Sequence, residues 1–231
     1  MNRNVRYFVA EFIGTFALVF VGGGAIMMAQ RTTSGAALLS VALAHGLILA
    51  LMVSATMFVS GGHLNPAITV GMLITRRIQP PQALVHILAQ LTGATVAAWL
   101  LKATFPPELV ASTRAGGQSI ALDVTFAKAV TLEAIATFFL MSVIYGTAVH
   151  ARAPKLGGIA IGLTIAADIL AIGPLTGASM NPARSFGPAL VTGVWEGQVV
   201  YWLGPILGAA IAALIWEYLL IEREMPATAE G

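Results

Sequence analysis

Cysteine is absent from all 231 residues, which excludes a disulfide framework, thiol chemistry and cysteine–metal sites. Charge is scarce as well. Asp, Glu, Lys and Arg make up 10% of the chain, where a soluble domain carries roughly a quarter. A net charge of +2 is too small to point to nucleic acid as a partner. The sequence also lacks any Ser–His–Asp set at a plausible depth, any metal-ligand spacing and any glycine-rich phosphate loop behind a strand. Neither enzyme activity, cofactor nor metal is expected. What abounds is apolar: 58% of the residues are hydrophobic, so the composition alone reads as a membrane protein.

A membrane-spanning helix needs about 20 mostly apolar residues. Six stretches qualify: Val5–Ala29, Ala36–Phe58, Pro81–Ala103, Thr125–Val149, Gly157–Gly173 and Gly197–Ile221. The first follows a short polar start without a convincing small-residue cleavage site, so it is expected to be a retained helix rather than a signal peptide. Thr104–Val124 is the longest polar connection, and Glu222–Gly231 reads as a frayed polar tail. Gly22-Gly23-Gly24 lies within an apolar helix and reads as close packing.

The tripeptides Asn65-Pro66-Ala67 and Asn181-Pro182-Ala183 each follow a small-residue loop and open a stretch too short to cross a bilayer, Ile68–Ile74 and Ser185–Val191. Asparagine at an N-cap followed by proline starts a helix well, because proline's missing N–H would be unbonded there anyway. Two half-helices are therefore expected. At membrane depth such broken helices are tolerated only where they are buried in protein or line a water-filled cavity.

The two halves echo each other. Ala10-Glu11-Phe12-Ile13-Gly14-Thr15-Phe16 returns as Leu132-Glu133-Ala134-Ile135-Ala136-Thr137-Phe138, and Gly46 and Gly162 each lie 19 residues before their asparagine. With three spans per half, an odd number, the second half must enter from the opposite side. The expectation is an all-α membrane protein, six spanning helices plus two re-entrant half-helices in an inverted repeat, forming one channel domain over residues 1–231 with halves at about 5–103 and 125–221. Basic residues orient it. With both termini cytoplasmic, the inner side collects Arg3, Arg6, Arg76, Arg77, Arg152, Lys155 and Arg223. The outer loops hold Arg31 and Arg114, with Lys102 and Lys128 near helix ends.

Two Asn-Pro-Ala boxes, Ser60-Gly61-Gly62-His63-Leu64 before the first, Ala183-Arg184-Ser185-Phe186-Gly187-Pro188 within the second, and the Glu-containing repeats together resemble the aquaporin (major intrinsic protein) family, from Val5 to about Tyr218. The resemblance implies a passive channel and a homotetramer with one pore per subunit. It implies that Asn65 and Asn181 face each other across the pore and bind passing water by its oxygen, and that Arg184 forms one side of an outer constriction. Counting back from each box, the other members are His45, Ile169 and Ala178. That set departs from the Phe and His of strict water channels and resembles several plant tonoplast intrinsic proteins. Isoleucine in place of histidine, with small Ala178, implies a wider and partly apolar gate with His45 as a new donor or acceptor. Ammonia is then expected beside water, with urea and hydrogen peroxide as further candidates. Gln118 aligns with a loop position that approaches this filter in the same plant group.

The loop residues Gly61, Gly62, His63, Leu64, Gly177, Ser179 and Met180 are expected at the pore, His63 by its carbonyl. Glu11 and Glu133 are read as structural, each holding backbone N–H groups of its loop. Gly46, Gly162, Gly14 and Ala136 read as close helix crossings. Asp168 is an intramembrane carboxylate, solvated or bonded to loop backbone on a structural reading. His86 and His150 are expected to be interfacial, and Trp99, Trp195, Trp202 and Trp216 to be anchors. The alternatives are a strictly water-selective channel, a glycerol facilitator and, in another class, an ion- or proton-coupled transporter using Glu11, Glu133 or Asp168. Ser185 after Arg184 weighs against the glycerol branch, which usually has Asp there. A plasma or inner membrane is expected, with the vacuolar membrane as the alternative.

Overall fold

The computed structural model describes residues 2–32, 35–150, 152, 154 and 156–221; Lys155, Arg223 and the tail from Glu222 lie outside them. Among the described residues, six helices are long and apolar enough to cross a membrane. They are α1 (Arg3–Arg31), α2 (Ala37–Ser60), α4 (Pro80–Thr104), α6 (Phe126–Ile144), α7 (Gly157–Thr176) and α9 (Gln198–Ile215). Both α6 and α9 continue into a single π-helical turn, Tyr145–Val149 and Trp216–Leu220. The half-helices are α3 (Pro66–Ile74) and α8 (Pro182–Thr192). Each begins at its proline, so the box is the first turn rather than a prelude to it. No strand occurs among the described residues.

The longest polar connection, Thr104–Val124, holds a further helix, α5 (Pro107–Thr113). Pro107 supplies the preset φ of a first helical position and Glu108 adds the favoured acidic charge to the first turn. The chain then turns sharply through Arg114 and Ala115, both at φ 54°.

Packing repeats as the sequence does. α1 lies on α4 as α6 lies on α9, and each half-helix packs on the last span of the other half, α8 on α4 and α3 on α9. The halves meet where α2 crosses α7. Small residues set that distance: a Cβ on Gly46 would lie 2.6 Å from the Gly162 carbonyl oxygen. With no hydrophobic drive between helices in lipid, such close backbone contact is what holds spans together.

The loops entering the half-helices match dihedral by dihedral. Gly61 (φ 93°) and Gly177 (φ 83°) end α2 and α7 in the left-handed region. Gly62 (φ 61°) and Ala178 (φ 44°) follow, then Leu64 (φ 50°) and Met180 (φ 52°). Left-handed backbone at leucine, alanine and methionine is unfavourable, so each loop needs outside support.

Candidate functional site

That support is the pair of buried glutamates. Glu11 Oε1 accepts from Ser60 Oγ (2.6 Å) and His63 N (2.9 Å), and Oε2 from Leu64 N (2.7 Å) and Gln90 Nε2 (2.7 Å). Glu133 repeats the scheme with Thr176 Oγ1 (2.8 Å), Ser179 N (2.9 Å) and Met180 N (2.7 Å). Both carboxylates are fully buried. Their N–H partners are consumed inward, which leaves the other side of each loop to a cavity.

Asn65 and Asn181 stand at the N-termini of α3 and α8, each accepting helix N–H groups at Oδ1: Ala67 N at 2.9 Å, and Ala183 N at 3.0 Å with Arg184 N at 3.3 Å. Their amide nitrogens cross the repeat axis. Asn65 Nδ2 donates to Met180 O (2.7 Å) and Asn181 Nδ2 to Leu64 O (2.8 Å). Each NH2 carries two protons, so one remains on each asparagine. Leu64 and Met180, expected at the pore by their backbone, are thus fully buried, with carbonyls occupied by the asparagines.

A cavity of about 320 Å³ runs past these groups, lined at one end by Met57, Arg77 and Val149 and at the other by His45, Ile169, Ala178 and Arg184. Between them lie Gly61, Gly62, His63, Asn65, Ser179 and Asn181, with an apolar wall from Leu49, Val53, Ile161 and Ile165. Pro66, Ala67, Pro182 and Ala183 are buried as the first turns of the half-helices. Gly177 ends α7 just behind that wall.

Two of the residues at the second end, Arg184 and His45, are held by hydrogen bonds. Arg184 Nη1 donates to Gly116 O (2.9 Å), and Nη2 lies 3.0 Å from His45 Nε2. His45 Nδ1 lies 2.8 Å from Val41 O, which only accepts. The ring proton is therefore on Nδ1, and Nε2 takes the arginine N–H. Both ring nitrogens are engaged by protein, so His45 works here by holding Arg184 rather than as a free donor or acceptor. Three of the five guanidinium N–H groups remain. The triple glycine makes this possible: a Cβ on Gly22 would collide with the His45 ring, and Gly23 lies against Gly116, whose carbonyl takes Arg184.

Gln118 packs against Gly177, whose added Cβ would lie 2.8 Å from Gln118 Cβ, and its amide has no partner among the described residues. It does not border the cavity. Asp168 is nearly buried and, among the described residues, makes no bond to loop backbone and leaves Oδ2 without a partner. It does not border the cavity either, although Ile169 beside it does. His86, expected at the interface, is fully buried against His63 instead, with ring centroids 4.9 Å apart. Trp216 turns inward onto Tyr145 and Gly146. No cluster of three or more His, Cys, Asp or Glu placed to hold a metal occurs among the described residues.

The sequence matches the Major intrinsic protein family over residues 1–216. The chain belongs to that family. Aquaporin TIP1-2 of Zea mays is 44% identical over 96% of this chain and 90% of the relative. Probable aquaporin TIP3-2 of Arabidopsis thaliana is 42% identical over 94% of this chain and 85% of the relative. In fold, the aquaglyceroporin from Plasmodium falciparum superposes with a TM-score of 0.78 at 23% identity, covering 94% of this chain and 96% of that one. This major intrinsic protein is accordingly a multi-pass aquaporin-family membrane channel.

Proposed function

We propose that the chain is a passive channel for water that also admits ammonia, built as one domain over residues 1–231 from repeat halves at about 5–103 and 125–221. The observation that carries this is the cavity beside both asparagines, ending at His45, Ile169, Ala178 and Arg184. The spare amide proton of Asn65 and of Asn181 binds a passing water by its oxygen. Its hydrogens then point away and the donor–acceptor chain is broken. The positive ends of α3 and α8, with Arg184, repel cations. Pro66, Ala67, Pro182 and Ala183 fix those ends, Gly61, Gly62, His63 and Ser179 supply the loop wall, and Gly177 backs it.

Ammonia follows from the filter. Ile169 removes a polar group from the wall and Ala178 leaves room, so a small neutral base loses less by shedding water there. Gln118, buried behind Gly177 and off the cavity wall, bears on this filter only by backing the loop that carries Ala178. Urea and hydrogen peroxide are further candidates. Glu11 and Glu133 serve as loop anchors, their oxygens taken up by hydrogen bonds, which supports a channel over a proton-coupled transporter. A homotetramer is carried over from the family. Likeness to plant TIP-type aquaporins supports the vacuolar alternative over a plasma or inner membrane, and imaging of a tagged full-length chain decides between them.

The test is stopped-flow permeability of proteoliposomes. Water and ammonia fluxes should exceed protein-free vesicles, and glycerol flux should not. The double variant His45→Phe/Ile169→His should keep water flux and lose most ammonia flux. No ammonia flux above background in the wild type would leave a strictly water-selective channel.

A further inference from the structure

Among the described residues two charged side chains line the cavity, an arginine at each end, Arg184 and Arg77. Arg184 is held by neutral acceptors, the Gly116 carbonyl and the His45 ring, so its charge stays unbalanced for the passage. Arg77 is given a counter-ion instead. Its Nε donates to Glu217 Oε2 at 2.8 Å and its Nη2 to Glu217 Oε1 at 3.2 Å. Around it the opening is apolar, built by Met57, Met72, Ile144, Ala148 and Val149.

Backbone geometry fixes where both partners stand. At the end of α3, Arg76 takes the left-handed conformation (φ 59°), its N–H donates to Leu73 O (3.0 Å), and the Arg77 N–H donates to Met72 O (2.8 Å). That paired closure of a helix C-terminus places Arg77 at the rim. Glu217 lies in the π turn of α9, directly after Trp216, whose ring covers Gly146 so closely that a Cβ there would lie 2.9 Å from it. Single π turns recur at functional sites. In the first half α1 and α4 run to their ends as plain α-helix, so both π turns belong to the half that builds this opening.

The repeat also shows what Glu217 replaces. Gly93 lies under the Phe12 carbonyl as Gly208 lies under that of Ala134, which fixes the register between α4 and α9. Lys102 and Glu217 each follow that glycine by nine residues. Lys102 Nζ donates to Val191 O at 3.0 Å, a cation at the negative end of α8, where it is favoured. A carboxylate brought to the matching place beside α3 meets the wrong end of a helix dipole. Anchoring the half-helix would have been served by a lysine here too; a carboxylate is suited only to Arg77.

We propose that Glu217 is a positioning residue that keeps this end of the passage open by pinning the Arg77 guanidinium to its rim. The Arg77 side chain is 38% exposed and that of Glu217 18%, so the arginine has open space to move into once released. Freed, it folds across the apolar opening, its methylene stem laid on Met57 and Val149 and its charged head in water. The passage narrows and flux falls. The inference rests on the reading of the cavity as a water conduit.

Osmotic water flux of full-length protein in proteoliposomes, normalised to reconstituted protein, tests it. Glu217→Ala should cut the flux about threefold. Glu217→Gln, which keeps the shape but gives up the charge and one acceptor oxygen, should cut it by less. Arg77→Ala removes the obstructing side chain, so the double variant Glu217→Ala/Arg77→Ala should recover the wild-type flux or exceed it. An ion pair that only stabilises the fold predicts no such recovery, because both variants lack the pair. Arg76→Gln removes a neighbouring charge outside the cavity lining and should neither change the flux nor rescue Glu217→Ala. Unchanged flux in Glu217→Ala overturns the proposal, as does a double variant no faster than Glu217→Ala, or rescue by Arg76→Gln. Absence of wild-type flux above protein-free vesicles would fail the conduit reading itself, and the positioning role with it.

Discussion

A carboxylate in a membrane interior is costly unless its oxygens are fully used. Glu11 meets that condition with four donors and no cation, two of them backbone N–H groups of a loop whose dihedrals disfavour its own residues. Removing it leaves His63 N and Leu64 N buried and unpaired, at about 1–3 kcal/mol each. Glu11→Ala should therefore lower stability by roughly 2–6 kcal/mol on that basis, read as an earlier thermal transition in detergent with loss of water flux. Glu11→Gln keeps an acceptor oxygen and should cost less. The loop-anchor role of both glutamates was legible because their surroundings recur in two places. His86 was not: its position near the start of a span suggests an interface, and only the folded loop reveals His63 and Glu11 beside it. The fit of Gly22 to the His45 ring was hidden in the same way, because nothing in a run of three glycines says which neighbour needs the space.

Close contact between backbones, rather than apolar area, sets the geometry of these elements. At the α2–α7 crossing a Cβ on Gly162 would run into the Gly46 carbonyl oxygen and come within 2.6 Å of Ala50 Cβ and 2.8 Å of Ala50 N. Backbone atoms on the far side have no rotamer to yield. Overpacking of a tight core costs typically 1–3 kcal/mol, and Gly162→Val should reach at least the upper part of that range, about 3 kcal/mol, with the filter end displaced because Ile169 rides on the same helix. A lowered melting temperature and reduced flux check it. Gly35→Ala, with nothing within 4 Å of the added carbon, should leave both unchanged. The six spans could be read from apolar length alone, and both half-helices from their boxes. α5 escaped because seven residues between polar flanks carry too little periodicity to stand out. The π turns escaped because no local pattern marks them; in the fold their first residues, Tyr145 and Trp216, meet with ring centroids 6.4 Å apart.

At the scale of the whole molecule, the inverted repeat makes a claim about sidedness that neither half makes alone. Gln79 follows α3 and Glu196 follows α8, so equivalent points of the two repeats must emerge on opposite faces of the membrane. The distribution of basic residues predicts that the Gln79 side, with Arg76 and Arg77, faces the cytoplasm. Arg77 makes a two-point ion pair to Glu217, with Nε–Oε2 at 2.8 Å. The absence of cysteine makes this directly measurable, since any introduced thiol is the only one in the chain. Gln79 and Glu196 are both exposed. In sealed vesicles with the cytoplasmic face inward, a membrane-impermeant maleimide should label Glu196→Cys at once and Gln79→Cys only after the membrane is opened. Labelling of both from one side would mean that the halves enter the membrane in the same sense, and the two asparagine ends could then not meet inside it.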